Sequence, residues 1–188
     1  MVACIVLLLV NVQIVVAEEK AGLGFEFGTS FYRFSKSNFK AGGGNYFHLI
    51  MNGNEDVKYF LHNESGNTTA EVGDSASGLN INITGIGASM NLAESYKFSL
   101  MTGSATVIGA ADAGSGTNAI TATQSTAPVA DIALIWGMTS GNTSLSAGMS
   151  YRYLALSNPI TFTDSSGKSE RVSDMSSLNI NIGIAYSF

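Results

Sequence analysis

Charge is scarce in this sequence. Asp, Glu, Lys and Arg make up 12% of 188 residues, about half the ~25% usual in a soluble globular domain. A chain so poor in charge hides much of its surface from water, or builds its polar face from Ser, Thr, Asn and Gly. Positive charge is scarcer still: nine Lys and Arg against fourteen Asp and Glu give a net charge of −5. No basic stripe is there to neutralise phosphates, which argues against nucleic acid as a partner. There are only two prolines, whereas glycine is abundant at 21 residues. The single cysteine, Cys4, lies in the first apolar run. A mature chain cut after that run has no thiol for a disulfide or for thiol chemistry. Long apolar runs are missing too, since no later stretch approaches the ~18 residues a membrane helix needs. If the chain crosses a membrane, it crosses with strands.

The length suits one domain. Residues 1–17, MVACIVLLLVNVQIVVA, are interrupted by Asn11 and Gln13 and are too short for a comfortable membrane helix. They end Val15-Val16-Ala17 ahead of Glu18-Glu19-Lys20, in the manner of a signal-peptidase site, although no Lys or Arg precedes Lys20. The sequence therefore predicts a signal peptide at 1–17 and one β-domain at 18–188.

What the chain has in plenty is alternation. At the C-terminus Leu178, Ile180, Ile182, Ile184, Tyr186 and Phe188 are apolar, and small or polar residues separate them. A period of two makes a strand with one apolar face, here running to the terminal carboxylate. Seven earlier segments read similarly: Gly22–Phe34, Gly44–Met51, a short one at Val57–His62, Leu79–Leu92, Tyr96–Ile108, Val129–Ser140 and Thr143–Leu156. Within Leu79–Leu92 the apolar phase shifts from Leu79, Ile81 and Ile83 to Ile86, Ala88 and Met90, which predicts a β-bulge at Thr84-Gly85. Several segments exceed the five or six residues of soluble strands and match the roughly 9–11 of a tilted membrane strand. Connections alternate in length. Those near 52–56, 93–95 and 141–142 are short, and those near 35–43, 63–78, 111–128 and 157–175 are long and polar.

Ser140-Gly141-Asn142-Thr143 is the clearest turn. A two-residue Gly-Asn loop pairs Ser140 with Thr143, which sets Met138 against Leu145, Trp136 against Ala147, Leu134 against Met149 and Ile132 against Tyr151. All eight are apolar-face residues. The same register places Asp131 opposite Arg152 on the other face, a sensible way to keep charge inside a narrow barrel. That inward face collects Glu26, Lys58, Lys97, Asp131 and Arg152 among Gly, Ser, Asn and Ala. The outward face is apolar and uncharged, as lipid requires. The predicted fold is all-β: a closed antiparallel up-and-down transmembrane barrel of eight strands. A secreted β-sandwich shares the alternation, but long strands and alternating loops favour the barrel.

Signs of chemistry are weak. His62-Asn63-Glu64 is the only local metal candidate among two histidines, His48 and His62, and it falls where a polar loop is predicted. No Ser, His and carboxylate stand at a recognisable catalytic spacing. The Gly-x-Gly pairs at 22–24 and 85–87 lack a following helix and suit close packing within strands. No enzyme activity, metal or cofactor is expected.

The signal-like start and the ending Asn-Ile-Gly-Ile-Ala-Tyr-Ser-Phe188 resemble the small eight-stranded outer-membrane barrels of the OmpA transmembrane-domain, OmpX and opacity-protein type. The resemblance implies residence in the bacterial outer membrane, lipid and the barrel-assembly machinery as partners, and Tyr186 and Phe188 as the assembly signal. It also implies a side-chain-filled interior, since eight strands enclose little more. Function would then sit in the long loops, as a surface interaction protein of adhesin or opacity type that meets extracellular ligands. A narrow gated channel for ions or small solutes is the alternative, and a lipid-modifying enzyme a more distant one.

Overall fold

Antiparallel hairpins build almost the whole molecule. The computed structural model describes residues 22–53, 56–72, 75–109, 124–163 and 169–188. The predicted signal peptide, Cys4 and most of the 111–128 connection lie outside them. Nine strands follow in order: β1 (Leu23–Phe34), β2 (Gly42–Asn52), β3 (Val57–Val72), β4 (Ser75–Ala93), β5 (Tyr96–Gly109), β6 (Ser125–Ser140), β7 (Thr143–Thr163), β8 (Ser169–Asp174) and β9 (Ser177–Ser187). β1 to β7 each pair with the next, and β9 lies between β7 and β1. Those eight strands form a closed barrel. β8 pairs only with the upper end of β7 and adds a ninth strand that the sequence pattern did not reveal.

The seam runs from Gly24↔Ser187 to Phe34↔Ser177, and the Phe188 N–H donates to the Leu23 carbonyl at 2.9 Å. Both ends of the described chain therefore lie at one mouth, which we call the lower one. The β6–β7 hairpin has the predicted register, from Ser140↔Thr143 to Asp131↔Arg152 and beyond. Gly141 has φ = +59°, the backbone that glycine adopts without strain at the first central position of a II′ turn.

Three expectations need correction, and one cause explains them. The 63–78 stretch is not a loop: β3 and β4 pair residue by residue from Val57↔Met90 to Val72↔Ser75. No bulge interrupts Thr84-Gly85, because Asn63↔Thr84 and His62↔Gly85 continue the register; the irregularity in β4 falls between Asn91 and Ala93. Much of 157–175 is likewise strand, in β7 and β8, with a break in pairing between Ala155 and Ile160. The cause is an inversion of polarity along the strands. In the lower part of β4, Ile86, Met90 and Leu92 point outward and are exposed, while Gly85, Gly87 and Ser89 point inward. In its upper part, Leu79, Ile81 and Ile83 are buried and Asn80, Asn82 and Thr84 face out. A lipid-facing wall below thus gives way to an ordinary water-facing wall above. The shift in apolar phase is this change of face, not an inserted residue.

The upper interior is a hydrophobic core. Leu79, Ile83, Val107, Val129, Leu154 and Met175 are each at most 1% exposed and belong to one cluster. Full burial of such a side chain contributes about 1.5–3 kcal/mol. The β1–β2 connection folds over this core. Phe39 is buried with its ring 5.2 Å from that of Phe34. The Lys40 N–H donates to Thr69 O at 2.9 Å and the Glu71 N–H to Asn38 O at 2.8 Å.

The lower exterior is the reverse. Leu134, Met149, Ile180 and Ile184 are each more than half exposed. Phe25, Tyr186 and Phe188 cluster at the lower rim, with ring centroids 5.2–5.9 Å apart. An apolar wall with an aromatic rim suits a bilayer and its interface.

Candidate functional site in the barrel interior

Below the apolar core the interior turns polar, and inward parity along each strand determines which groups meet. β1 contributes Glu26 and Tyr32, β2 Tyr46 and His48, β3 His62 and Glu64, β6 Asp131, and β7 Ser146 and Arg152. Ring-bearing side chains fit across so narrow a barrel because glycines oppose them. A Cβ on Gly28 or Gly183 would run into Tyr46, and one on Gly44 or Gly66 into Tyr32.

The polar groups form one continuous line. Ser146 Oγ donates to Glu26 Oε1 at 2.6 Å and Tyr46 OH to the same oxygen at 3.1 Å. The other carboxylate oxygen, Oε2, lies 3.2 Å from His48 Nδ1. His48 Nε2 faces His62 Nδ1 at 2.8 Å, and His62 Nε2 lies 3.1 Å from Glu64 Oε2. Arg152 then joins two acids, donating from Nη2 to Glu64 Oε2 at 2.8 Å and from Nε to Asp131 Oδ2 at 3.0 Å. Tyr32 OH donates to Glu64 Oε1, and the guanidinium carbon of Arg152 sits 5.6 Å from the centre of the Tyr32 ring. Which nitrogen donates in each of these three contacts is set by the tautomers of the two imidazoles.

The structure brings only some of the five predicted interior charges together. Asp131 and Arg152 are paired directly, through Arg152 Nε. Glu26 enters the same network by way of the two histidines rather than by contact. Lys58 and Lys97 also point inward but join none of the ion pairs among the described residues. Lys97 is instead in electrostatic range of Lys58 and Glu26. Tyr186 and Phe188 are on the outward face at the seam, away from this network.

The central acid was missed. Glu64 is 1% exposed and binds Arg152, His62 and Tyr32, yet it fell where a loop was predicted. One signal could have found it: Lys58, Phe60, His62 and Glu64 share a parity, and it continues to Ala70. Above Leu61 the opposite face becomes Asn63, Ser65 and Asn67. With both faces polar, the alternation loses its contrast and reads as loop.

A cavity of about 60 Å³ remains beside the network, bordered by Glu26, His48, Asp131, Arg152 and Asn181. That is space for a few waters. No group of three or more His, Cys, Asp or Glu among the described residues has metal-binding geometry. The chain folds as a small outer-membrane β-barrel. No family model matches the sequence, and no curated protein does, but solved structures share the fold. Neisserial surface protein A superposes with a TM-score of 0.56 at 14% identity, over 88% of this chain and 97% of that one. OprG from Pseudomonas aeruginosa gives 0.58 at 10%, over 89% and 96%. Ail, the attachment invasion locus protein of Yersinia pestis, gives 0.52 at 12%, over 89% and 99%. At these identities the likeness is one of fold. This outer-membrane barrel carries its polar network at the level of its lipid-facing wall and its apolar core above.

Proposed function

We propose that the protein is a surface interaction barrel, a sealed membrane scaffold that presents its upper strands and loops to extracellular ligands. The observation that carries this reading is a doubly closed interior. The buried core from Leu79 to Met175 caps the upper end, and the Glu26–Arg152 network fills the level below, leaving the small cavity described above. A narrow channel would need both layers to open.

The upper structure suits presentation. The β3–β4 hairpin and the β7–β8 hairpin extend beyond the lipid-facing wall as paired strands. Rigid strands there reduce the ordering entropy that flexible loops lose on binding. A solved structure of Ail, which shares the fold, holds the heparin analogue sucrose octasulfate. The interior does not read as an enzyme centre. Ser146 and His48 both bond to Glu26, so the acid lies between them, whereas a triad places the imidazole between serine and acid.

Planar-bilayer recording and adhesion assays test the reading together. Wild-type protein is expected to show no unit conductance. Cells displaying it are expected to adhere to matrix- or glycan-coated surfaces, less so after replacement of the β3–β4 tip above Thr68 by a two-residue turn. Reproducible conductance steps that vanish on acid substitution within the network would overturn the proposal in favour of a channel.

A further inference from the structure

The outward wall is not apolar to the same height all round. On β9 it is apolar from Phe188 up to Leu178, and on β7 from Leu145 to Tyr153. On β2 the outward side chains turn polar at Asn45, just above Phe47, and on β3 at Asn63, just above Leu61. Each outward position is two residues further along a strand. At a tilt of ~40° that is about 5 Å of height, and the β2–β3 wall stops one to two positions short of the β7–β9 wall.

The registers join the polar positions into rows. Thr29 pairs with Asn45, Asn45 with Ser65, and Ser65 with Asn82; in the next row up, Gly43 pairs with Asn67 and Asn67 with Asn80. These rows surround a shallow, open depression of about 350 Å³ in the outer wall. Its rim is Thr29, Asn45, Ser65, Asn67 and Asn80, and its floor is glycine. No charged side chain lines it. A Cβ on Gly43 would meet only Ser30 O, at 3.2 Å, among neighbouring atoms, so the space above that residue is open. The Phe31 ring, 53% exposed, stands in the same row as Gly43.

We propose that this depression holds the uncharged sugar headgroup of an outer-leaflet glycolipid. The argument is continuity with the lipid-facing wall. A molecule whose acyl chains lie on Phe27, Phe47, Leu49 and Leu61 has its headgroup at the height of the Asn and Ser rows. Amides and hydroxyls both donate and accept, as sugar hydroxyls do. A phosphate-bearing headgroup would call for the Arg or Lys that this rim lacks. The glycine floor admits a flat ring, and Phe31 offers an apolar face for its C–H groups. A second copy seated through its β7–β9 wall would set apolar side chains against these amides and hydroxyls, which favours the sugar.

Native mass spectrometry of the full barrel, released from vesicles of phosphatidylcholine with 10% dihexosyl diacylglycerol of the same acyl chains, tests this. We expect retained dihexosyl lipid at several times its bulk mole fraction. Asn67→Leu/Asn80→Leu and Gly43→Val should each bring it back to that fraction, with heat-modifiable gel migration confirming that both variants fold. If either fails to fold, the other alone decides. Retention no greater than bulk, or retention unchanged in a folded variant, overturns the proposal. So does a dimer peak lost in the same variants, which would assign the wall to a second copy.

Discussion

Arg152→Met should destabilise the barrel by about 3–5 kcal/mol, although it swaps one long side chain for another in a packed interior. Arg152 is 4% exposed and lies between Glu64 at 1% and Asp131 at 8%. Its removal leaves two buried carboxylates without their cation, and breaking one side of a buried ion pair carries a cost of that order. Expressed as an equilibrium, this is roughly two to four decades. Lys40–Glu71 supplies the contrast. That pair is closer, at 2.5 Å, but its side chains are 60% and 42% exposed, so Lys40→Ala should cost no more than ~1 kcal/mol. Burial, not distance, sets the size. Urea unfolding in lipid vesicles, followed by Trp136 fluorescence and by heat-modifiable migration, measures both. Adding Glu64→Gln and Asp131→Asn to Arg152→Met should recover most of the loss, because the charges left uncompensated are then gone. An Arg152→Met barrel within 1 kcal/mol of wild type, or a triple variant no better than the single one, would refute the reasoning.

Other substitutions test other levels of the structure. Ile86→Lys should cost about 2–4 kcal/mol on the lipid-facing wall, while Asn82→Lys, four residues away on the same outward face, should cost ~1 kcal/mol or less; equal effects in vesicle unfolding would contradict the polarity inversion. Gly28→Ala should cost about 1–3 kcal/mol by overpacking against Tyr46, read as a lower urea midpoint with an unchanged slope. Deletion of Phe188 should reduce the heat-modifiable fraction assembled in cells but leave the stability of barrel refolded in vitro within ~1 kcal/mol, since the residue is 72% exposed. Equal losses in both settings would make Phe188 a structural residue and overturn the expectation that it is an assembly signal.

The lower wall was legible in the sequence because two principles agreed there. In β6, β7 and β9, outward Leu, Ile and Tyr alternate with inward small or charged residues, and the Gly141-Asn142 turn pins the register, so Asp131 and Arg152 could be paired from spacing alone. The upper half of β3 and β4 was illegible for a definite reason. Leu79, Ile81 and Ile83 carry the same residue types as the lipid wall but on the opposite face, and Asn63 to Asn67 faces a polar interior on one side and water on the other. Period-two reasoning identifies an apolar face but not what that face touches. The site suffered accordingly. Glu26, Lys58 and Lys97 were placed inside by parity, but His48, His62 and Glu64 could not be joined to them without pairing β3 to β2 and seeing Arg152 reach across from β7.

The seam between β1 and β9 has a kinetic consequence. Every other barrel pairing joins strands that are close in sequence, down to Ser140↔Thr143, whereas Gly24↔Ser187 joins the two ends of the described chain. The hairpins close short loops. The seam forms only when β9 meets β1, and it bears the loop-closure entropy of almost the entire chain. Until then β1 and β9 both offer unpaired strand edges, the surface through which a partly built barrel aggregates or is held by a helper. The final residues act as a latch, and the time spent unlatched is the interval in which this protein is most vulnerable.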